Sequence, residues 1–288
     1  MSAALAHLPE GASRERVIAL HCSGSAAGQW THLAEALGDA YDLQAPEHYG
    51  NDSVGAWAGA HAFTLEDEAE RTLGLIQGEA GQVHLVGHSY GGGVALAVAL
   101  AASDRIASLV LYEPSAFHLL RQMGPDGADA FAEIADVARR IGYGVITGDY
   151  RGAMEHFVDY WGAPGAFNRM RPALQERLIA WAPKAPLDFH ALIENPLAAD
   201  AYTALDIPTL ILCGEHAPRP TRTIAHRLAG LLPDGRVEIV PGAGHLGPIT
   251  HAEAVSPLIV RHIRKVAFGG IGAQAQPSPA RQRLEAAP

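Results

Sequence analysis

The stretch Val83-His-Leu-Val86 leads directly into Gly87-His88-Ser89-Tyr90-Gly91, and a run rich in Ala, Leu and Val follows to about residue 102. The first part has the composition of a buried strand and the last part that of a helix. A serine at such a strand-to-helix turn stands clear of the sheet, and small neighbours at 87 and 91 let other backbone come close. The pentapeptide alone is a weak signal in a chain with 31 glycines. Its setting is what selects Ser89 as a candidate nucleophile.

Strand-like and helical runs alternate on both sides of this turn. The apolar runs predict strands at residues 17–20, 41–45, 83–86, 108–112, 209–213 and 236–240. The spacing of apolar residues predicts helices at residues 29–37, 64–77, 91–102, 221–232 and 251–266, the second of them opened by a capping pair, Thr64 and Asp67. This alternation is typical of an α/β protein with a mostly parallel sheet flanked by helices.

Residues 116–200 interrupt the alternation. They are helical in pattern, rich in aromatic residues and broken by prolines, with no convincing parallel strand. We therefore predict a helical lid at 116–200, inserted into a core made of 1–115 and 201–268, and a disordered tail at 269–288. The aromatic stretches Phe157–Trp161 and Phe167–Met170 either contact a hydrophobic acyl or aryl group or bury the lid against the core. Both interpretations stay open.

Charge and hydropathy exclude some partners. The net charge of −10 argues against a protein that binds nucleic acid, which needs a basic face to meet phosphates. We find no signal peptide pattern and no run of about 18 apolar residues, so we expect a cytoplasmic protein with no membrane partner. Two cysteines do not make a disulfide framework. The chain could be a monomer or a homodimer.

The turn from Gly87 to Gly91 resembles the nucleophile elbow of the α/β-hydrolase family, and the similarity extends over about residues 15–265. The resemblance implies a mainly parallel sheet of about eight strands, with the active-site loops at its C-terminal edge. It also implies that no cofactor or metal ion takes part. The expected chain order is nucleophile, acid, histidine.

The candidate base is His245. The stretch Val240-Pro-Gly-Ala-Gly-His245 follows the last predicted strand and is similar to the histidine loop of the family. A loop in that place can arch over the sheet edge and bring the imidazole within hydrogen-bonding distance of Ser89. His251 and His262 fall on the last predicted helix, where a solvated or capping role is the plainer interpretation.

The acid departs from the common family arrangement, in which an Asp follows the penultimate strand. Here that loop reads Cys213-Gly-Glu-His-Ala217, with Ala217 where the Asp would stand. Glu113, after the strand at 108–112, is our preferred substitute, since haloalkane dehalogenases and other members carry their acid after that strand. Glu215 is the alternative acid, and a different residue or none also stays open.

The loop His21-Cys22-Ser23-Gly24-Ser25 resembles the family's His-Gly-x oxyanion loop, with Cys22 in place of the usual glycine. The resemblance assigns the oxyanion hole to the amides of Ser23 and Tyr90. Cys22 raises the question of whether position 22 needs a positive φ. It has no base to make it a nucleophile, and the family strand order puts it about 14 Å from Cys213, too far for a disulfide.

These residues predict a serine hydrolase that cleaves a small, largely apolar carboxylic ester through an acyl-enzyme. A carbon–carbon bond hydrolase, a lactonase and a cofactor-free perhydrolase use the same constellation. A catalytically silent binding protein on this fold is a different class of answer, favoured by the missing Asp. Serine at position 89 excludes haloalkane dehalogenase and epoxide hydrolase chemistry, which needs an aspartate nucleophile there.

Overall fold

The sheet is entirely parallel. The computed structural model describes residues 14–273, of which 268–273 are described by their backbone alone. In the order β2-β1-β3-β4-β5-β6, each strand pairs in parallel with its neighbours. The six strands are β1 (Glu15–Leu20), β2 (Tyr41–Gln44), β3 (Val83–His88), β4 (Ile106–Tyr112), β5 (Thr209–Gly214) and β6 (Gly235–Val240).

The described residues contain six strands rather than the eight implied by the family resemblance. All six correspond to the six apolar runs of the sequence, each shifted by no more than two residues at either end. No further strand occurs between Glu15 and Ala273. The described sheet is therefore two strands smaller than the resemblance implies.

Both faces of the sheet are covered, because successive side chains of a strand point to opposite faces. On β1, Val17 and Ala19 belong to the core cluster that includes residues of the first and last helices. Ile18 and Leu20 belong to the cluster on the other face, with the helices that follow β2, β3 and β5. All four are fully buried, so β1 has no solvent-facing side.

Twelve α-helices connect and cover the strands in the described residues. Those outside the insertion are α1 (Thr31–Leu37), α2 (Leu65–Gln77), α3 (Tyr90–Ala101), α10 (Arg219–Leu231), α11 (Gly247–Thr250) and α12 (Ala252–Ala273). Five short 3-10 helices lie at Ala27–Trp30, Gly38–Ala40, Ser103–Arg105, Ala182–Lys184 and Ala199–Ala204. No helix in residues 14–273 is both long enough and apolar enough to span a bilayer.

The segment between β4 and β5 is helical throughout its regular parts, and we call its six α-helices the helical insertion. They are α4 (His118–Gln122), α5 (Pro125–Thr147), α6 (Tyr150–Trp161), α7 (Ala166–Arg169), α8 (Pro172–Trp181) and α9 (Ala185–Ile193). At the other end of the chain, α12 runs to Ala273, so residues 269–273 are helical where the sequence predicted the start of a disordered tail. The rest of that predicted tail, and residues 1–13 of the predicted core, lie outside the described residues.

The parallel topology decides where the site lies. The carboxyl ends of parallel strands meet at one edge of a sheet, and the loops that leave β1, β3, β4 and β6 there carry Ser23, Ser89, Glu113 and His245. Residues that are far apart in the sequence are thus collected at a single edge.

Candidate active site

Ser89 lies on a strained turn between β3 and α3. Its φ is 55° and its ψ is −116°, a conformation that costs an L-residue energy and holds the side chain away from the sheet. The turn is held by a hydrogen bond of 3.0 Å from the Ser89 amide to the carbonyl of Tyr112. A Cβ atom on Gly91 would overlap the carbonyl oxygen of Leu20, so the helix can approach β1 this closely only with glycine at that position.

His245 reaches Ser89 from the loop after β6. Its Nε2 lies 2.9 Å from Ser89 Oγ, and its Nδ1 lies 2.7 Å from Glu113 Oε2. Two further hydrogen bonds hold the backbone of this loop. The Tyr112 hydroxyl donates to the carbonyl of Gly244 at 2.7 Å, and His88 Nε2 donates to the carbonyl of His245 at 2.8 Å. His245 is therefore held through both of its ring nitrogens and through the backbone of its loop.

Glu113 is fully buried at the end of β4, with a φ of 42°. Its Oε1 accepts from the Gly214 amide at 2.9 Å and its Oε2 from the Thr221 hydroxyl at 2.8 Å, in addition to His245. Because Gly214 and Thr221 flank the loop where the family's usual Asp would stand, Glu113 reaches across to that place from the neighbouring strand. In all three contacts the carboxylate oxygens accept a hydrogen bond.

Glu215, the alternative acid, is exposed and makes no hydrogen bond to His245 Nδ1, whose partner is Glu113. Its Oε2 accepts from the Gly242 amide at 2.8 Å and so holds the first turn of the histidine loop. The structure brings Glu113, and not Glu215, to His245.

The two candidate oxyanion donors border the same cavity as Ser89. Among the hydrogen bonds of residues 14–273, the amides of Ser23 and Tyr90 have no acceptor, which leaves both free for a ligand. Cys22 does not have a positive φ; the loop makes its turn at Gly24, with a φ of 70°. Replacing the usual glycine by Cys22 is therefore compatible with the backbone.

Neither cysteine has the features of a nucleophile. Burial raises the pKa of both the Cys22 and the Cys213 thiol to about 12, so both stay protonated near neutrality. Both are free and buried, on or next to strands that lie three positions apart in the sheet. This agrees with the expected absence of a bridge between them.

The cavity over Ser89 has an empty volume of about 410 Å³, which includes space that is open to solvent. Five aromatic side chains from the helical insertion and the segment leading into it line its wall: Phe117, Phe157, Trp161, Trp181 and Phe189. Trp161 lies against the imidazole of His245, with 4.1 Å between ring centroids. Of the two aromatic stretches noted in the sequence, the first thus borders the cavity, while Phe167 of the second is fully buried in packing.

A buried cluster of charged and polar side chains, which the sequence did not reveal, adjoins the oxyanion loop. The Ser23 hydroxyl donates to Asp188 Oδ2 at 2.5 Å, and Lys184 contacts the other oxygen of the same carboxylate. Lys184 Nζ also lies 3.1 Å from Glu68 Oε2, which accepts from the Tyr90 hydroxyl at 2.8 Å. The one hint in the sequence is the i,i+4 spacing of Lys184 and Asp188. We call these five residues the buried ion cluster.

Burial acts differently on the two acids of the buried ion cluster. Burial raises the pKa of Asp188 above its usual value, against the opposing effects of Lys184 and Ser23. For Glu68 burial is outweighed by hydrogen bonding and charge interaction with His48 and by the charge of Lys184, and its pKa falls to about 2. Glu68 is thus the firmly ionised partner of Lys184.

Ser115 is a second hydroxyl beside the candidate nucleophile. It is buried, borders the cavity, and has its Oγ 3.2 Å from Ser89 Oγ. Its amide donates to the carbonyl of Ser89 at 3.1 Å, which ties it to the elbow. Within the described part of the chain, no group of three or more His, Cys, Asp or Glu side chains is arranged to hold a metal ion.

Comparisons with known proteins identify the family and agree with the fold. A family profile described as "Alpha/beta hydrolase family" matches residues 17–258. A protein of Bacillus subtilis (strain 168), provisionally named 2-succinyl-6-hydroxy-2,4-cyclohexadiene-1-carboxylate synthase, is 25% identical over 245 residues, covering 80% of this chain and 84% of that protein.

Two solved structures are similar in fold over nearly the whole described chain. A thermophilic esterase from Thermogutta terrifontis is 26% identical, with a TM-score of 0.61 and coverage of 88% of this chain and 90% of that one. The carboxylesterase CesB from Bacillus subtilis is 20% identical, with a TM-score of 0.66 and coverage of 88% and 85%.

Proposed function

The chain belongs to the α/β-hydrolase family, and on that basis we propose that it is a serine hydrolase that cleaves a small, largely apolar carboxylic ester through an acyl-enzyme. The observation that carries the proposal is the continuous line of hydrogen bonds from Ser89 through His245 to Glu113. A serine, an imidazole and a buried carboxylate in that order are the parts that nucleophilic acyl transfer requires.

In the proposed acylation step, His245 Nε2 takes the proton of Ser89 as Oγ attacks the ester carbonyl carbon. Glu113 accepts the hydrogen bond of Nδ1, holds the ring in this tautomer and stabilises the imidazolium. The negative charge that develops on the carbonyl oxygen is met by the free amides of Ser23 and Tyr90 and by the N-terminus of α3. The imidazolium then gives its proton to the departing alcohol.

Deacylation reverses these roles. A water molecule attacks the acyl carbon, His245 takes one of its protons, and the same two amides hold the second oxyanion. The proton is then returned to Ser89 Oγ as the acid leaves. The Ser115 hydroxyl, 3.2 Å from Ser89 Oγ, can donate to that oxygen as its bond to the acyl group breaks.

The lining of the cavity favours a small ester substrate that carries no carboxylate group of its own. Its aromatic lining favours an apolar acyl or aryl group, and the 26% identical Thermogutta terrifontis protein is described as an esterase. The Bacillus subtilis relative is named for a carboxylate compound. A carboxylate needs a cation, whereas the lysine nearest the cavity, Lys184, is already engaged by Glu68 and Asp188. We therefore prefer ester hydrolysis to the chemistry of that relative's name.

The test is a series of p-nitrophenyl esters from acetate to octanoate, assayed with wild type, Ser89→Ala and the surface control Ser53→Ala. We expect turnover of the shorter esters by wild type and the control, and loss of it in Ser89→Ala. Equal rates for wild type and Ser89→Ala would contradict the proposal.

A further inference from the structure

The cavity wall contains one acidic side chain and no lysine or arginine. Of the fifteen residues that line it, Asp188 is the only Asp, Glu, Lys or Arg, and it is 3% exposed. Its neighbours in the wall are mainly aromatic and aliphatic. A carboxylate in such surroundings is costly unless it is paired and hydrogen-bonded, as Asp188 is by Lys184 and Ser23.

The buried ion cluster has more acid than base. Lys184 is its one lysine or arginine, and it is shared between two carboxylates, those of Glu68 and Asp188. Glu68 also contacts His48, whose pKa is lowered by burial and by the charge of His21. A single acid would suffice to pair Lys184 in the interior. The second acid, which is the one at the cavity wall, therefore has acceptor capacity beyond what its protein partners need.

The Ser23 hydroxyl extends this acceptor towards the substrate. It donates its proton to Asp188 Oδ2 at 2.5 Å, so its oxygen offers lone pairs and not a proton to its surroundings. Ser23 borders the cavity, and among the hydrogen bonds of the described residues no protein group donates to its Oγ. Both oxygens of Asp188 accept, from Ser23 and Lys184, which is the pattern of an ionised carboxylate.

We infer that the substrate carries a hydrogen-bond donor, a hydroxyl or an ammonium group, close to its scissile carbonyl, and that Ser23 Oγ and Asp188 accept from it. The inference rests on the proposed ester hydrolysis and narrows its substrate class. The amide and the hydroxyl of Ser23 belong to one residue. A substrate whose carbonyl oxygen meets the amide thus has only its neighbouring atoms within reach of the hydroxyl, which places the donor on the second or third carbon of the acyl chain.

The experiment compares p-nitrophenyl esters that differ in one group: butyrate, 3-hydroxybutyrate, 3-methoxybutyrate and 3-aminobutyrate. We expect wild type to prefer the hydroxy or the amino ester over the methoxy ester by about tenfold or more in kcat/KM, because a hydrogen bond to a charged acceptor is lost in the latter. The hydroxy and amino arms show which of the two donors is used.

Two variants locate the effect. Ser23→Ala keeps the amide and removes the hydroxyl, whereas Asp188→Asn removes the carboxylate. In each variant the kcat/KM for the hydroxy or amino ester, divided by that for the methoxy ester, should fall close to one. The exposed Asp104→Asn serves as the matched control and should keep the wild-type ratio. Because Asp188→Asn could unfold the cluster, Ser23→Ala is the decisive variant.

The outcomes separate this inference from the proposed function. If butyrate is hydrolysed in a Ser89-dependent way and the donor esters have no advantage, the ester hydrolase stands and the inference is overturned. An advantage that survives in Ser23→Ala also overturns it. Calorimetry with Ser89→Ala gives a readout without turnover: 3-hydroxybutyramide should bind more tightly than butyramide, and equal binding would count against the acceptor site.

Discussion

Two residues other than glycine have a positive φ in the described chain, Ser89 at 55° and Glu113 at 42°. Each such conformation costs about 1–3 kcal/mol and persists only where the surroundings hold it. Backbone hydrogen bonds stabilise both conformations. The Ser89 amide donates to the carbonyl of Tyr112, and the Glu113 amide donates to the carbonyl of Leu212. Both residues follow directly on the ends of adjacent strands, so the strain turns their side chains out of the sheet and towards His245.

Replacing Glu113 by Gln tests the acid at this same scale. The amide keeps the shape of the side chain but cannot stabilise an imidazolium, and it favours the wrong tautomer of His245. We expect kcat to fall by roughly 10³–10⁴-fold with little change in KM. The matched control, Glu215→Gln, should stay within a few-fold of wild type, because Glu215 contacts a backbone amide and not the imidazole. The opposite pattern in the two variants would contradict our assignment.

The capping of α2 is a feature of an element and not of the site. Thr64 and Asp67 form a full capping box, as the sequence predicted, with Thr64 Oγ1 accepting from the Asp67 amide and Asp67 accepting from the Thr64 amide. Thr64→Ala should lower the free energy of unfolding by about 1 kcal/mol in urea denaturation. Activity per folded molecule should not change, because neither Thr64 nor Asp67 lines the cavity. A loss of activity without loss of stability would speak against this view.

Helix α6 of the helical insertion contributes Phe157 to the wall of the cavity. Phe157→Ala should enlarge the cavity and move the preferred p-nitrophenyl ester to a longer acyl chain, with a lower rate on acetate. Phe167→Leu is the control, because Phe167 is fully buried in the same insertion without bordering the cavity. The control should lose some stability and keep the chain-length profile. If both variants shift the profile alike, α6 does not define the acyl site.

Buried neutral histidines give the whole molecule a pH-dependent stability. Burial lowers the pKa of His118 and of His262 to about 4, whereas a free imidazole in the unfolded chain titrates near ~6.5. Between these pH values the unfolded chain binds protons that the folded protein does not. The contribution of these two histidines to the free energy of unfolding is therefore greatest above about pH 6.5 and falls as the pH drops towards 4.

We accordingly expect the Tm to fall by about 5 °C or more between pH 7 and pH 5, measured by differential scanning calorimetry. The double variant His118→Gln, His262→Gln should show a smaller fall, since glutamine does not titrate. A Tm that is the same at both pH values in wild type would refute this account of the two histidines.

At the scale of the whole molecule, local sequence patterns predict most of the regular elements and only part of the site. All six strands, the long helices outside the insertion and the elbow follow from apolar periodicity and from the small residues around Ser89, which are local properties. Glu113 could be proposed because Ala217 removed its common alternative, and the structure does bring it to His245; its catalytic role stays a prediction. The Ser23–Asp188 hydrogen bond joins residues 165 positions apart, and no local pattern predicts such a contact. The expected eight strands came from the family resemblance and not from the chain's own runs.

The measurement that bears most directly on the proposed mechanism is covalent labelling with a fluorophosphonate, followed by peptide mass spectrometry to locate the adduct. Activated Ser89 should react and carry the label, His245→Ala should react far more slowly, and Ser89→Ala should not be labelled at all. Failure of the wild-type protein to react, or an adduct on a residue other than Ser89, would contradict the account of this chain as a serine hydrolase.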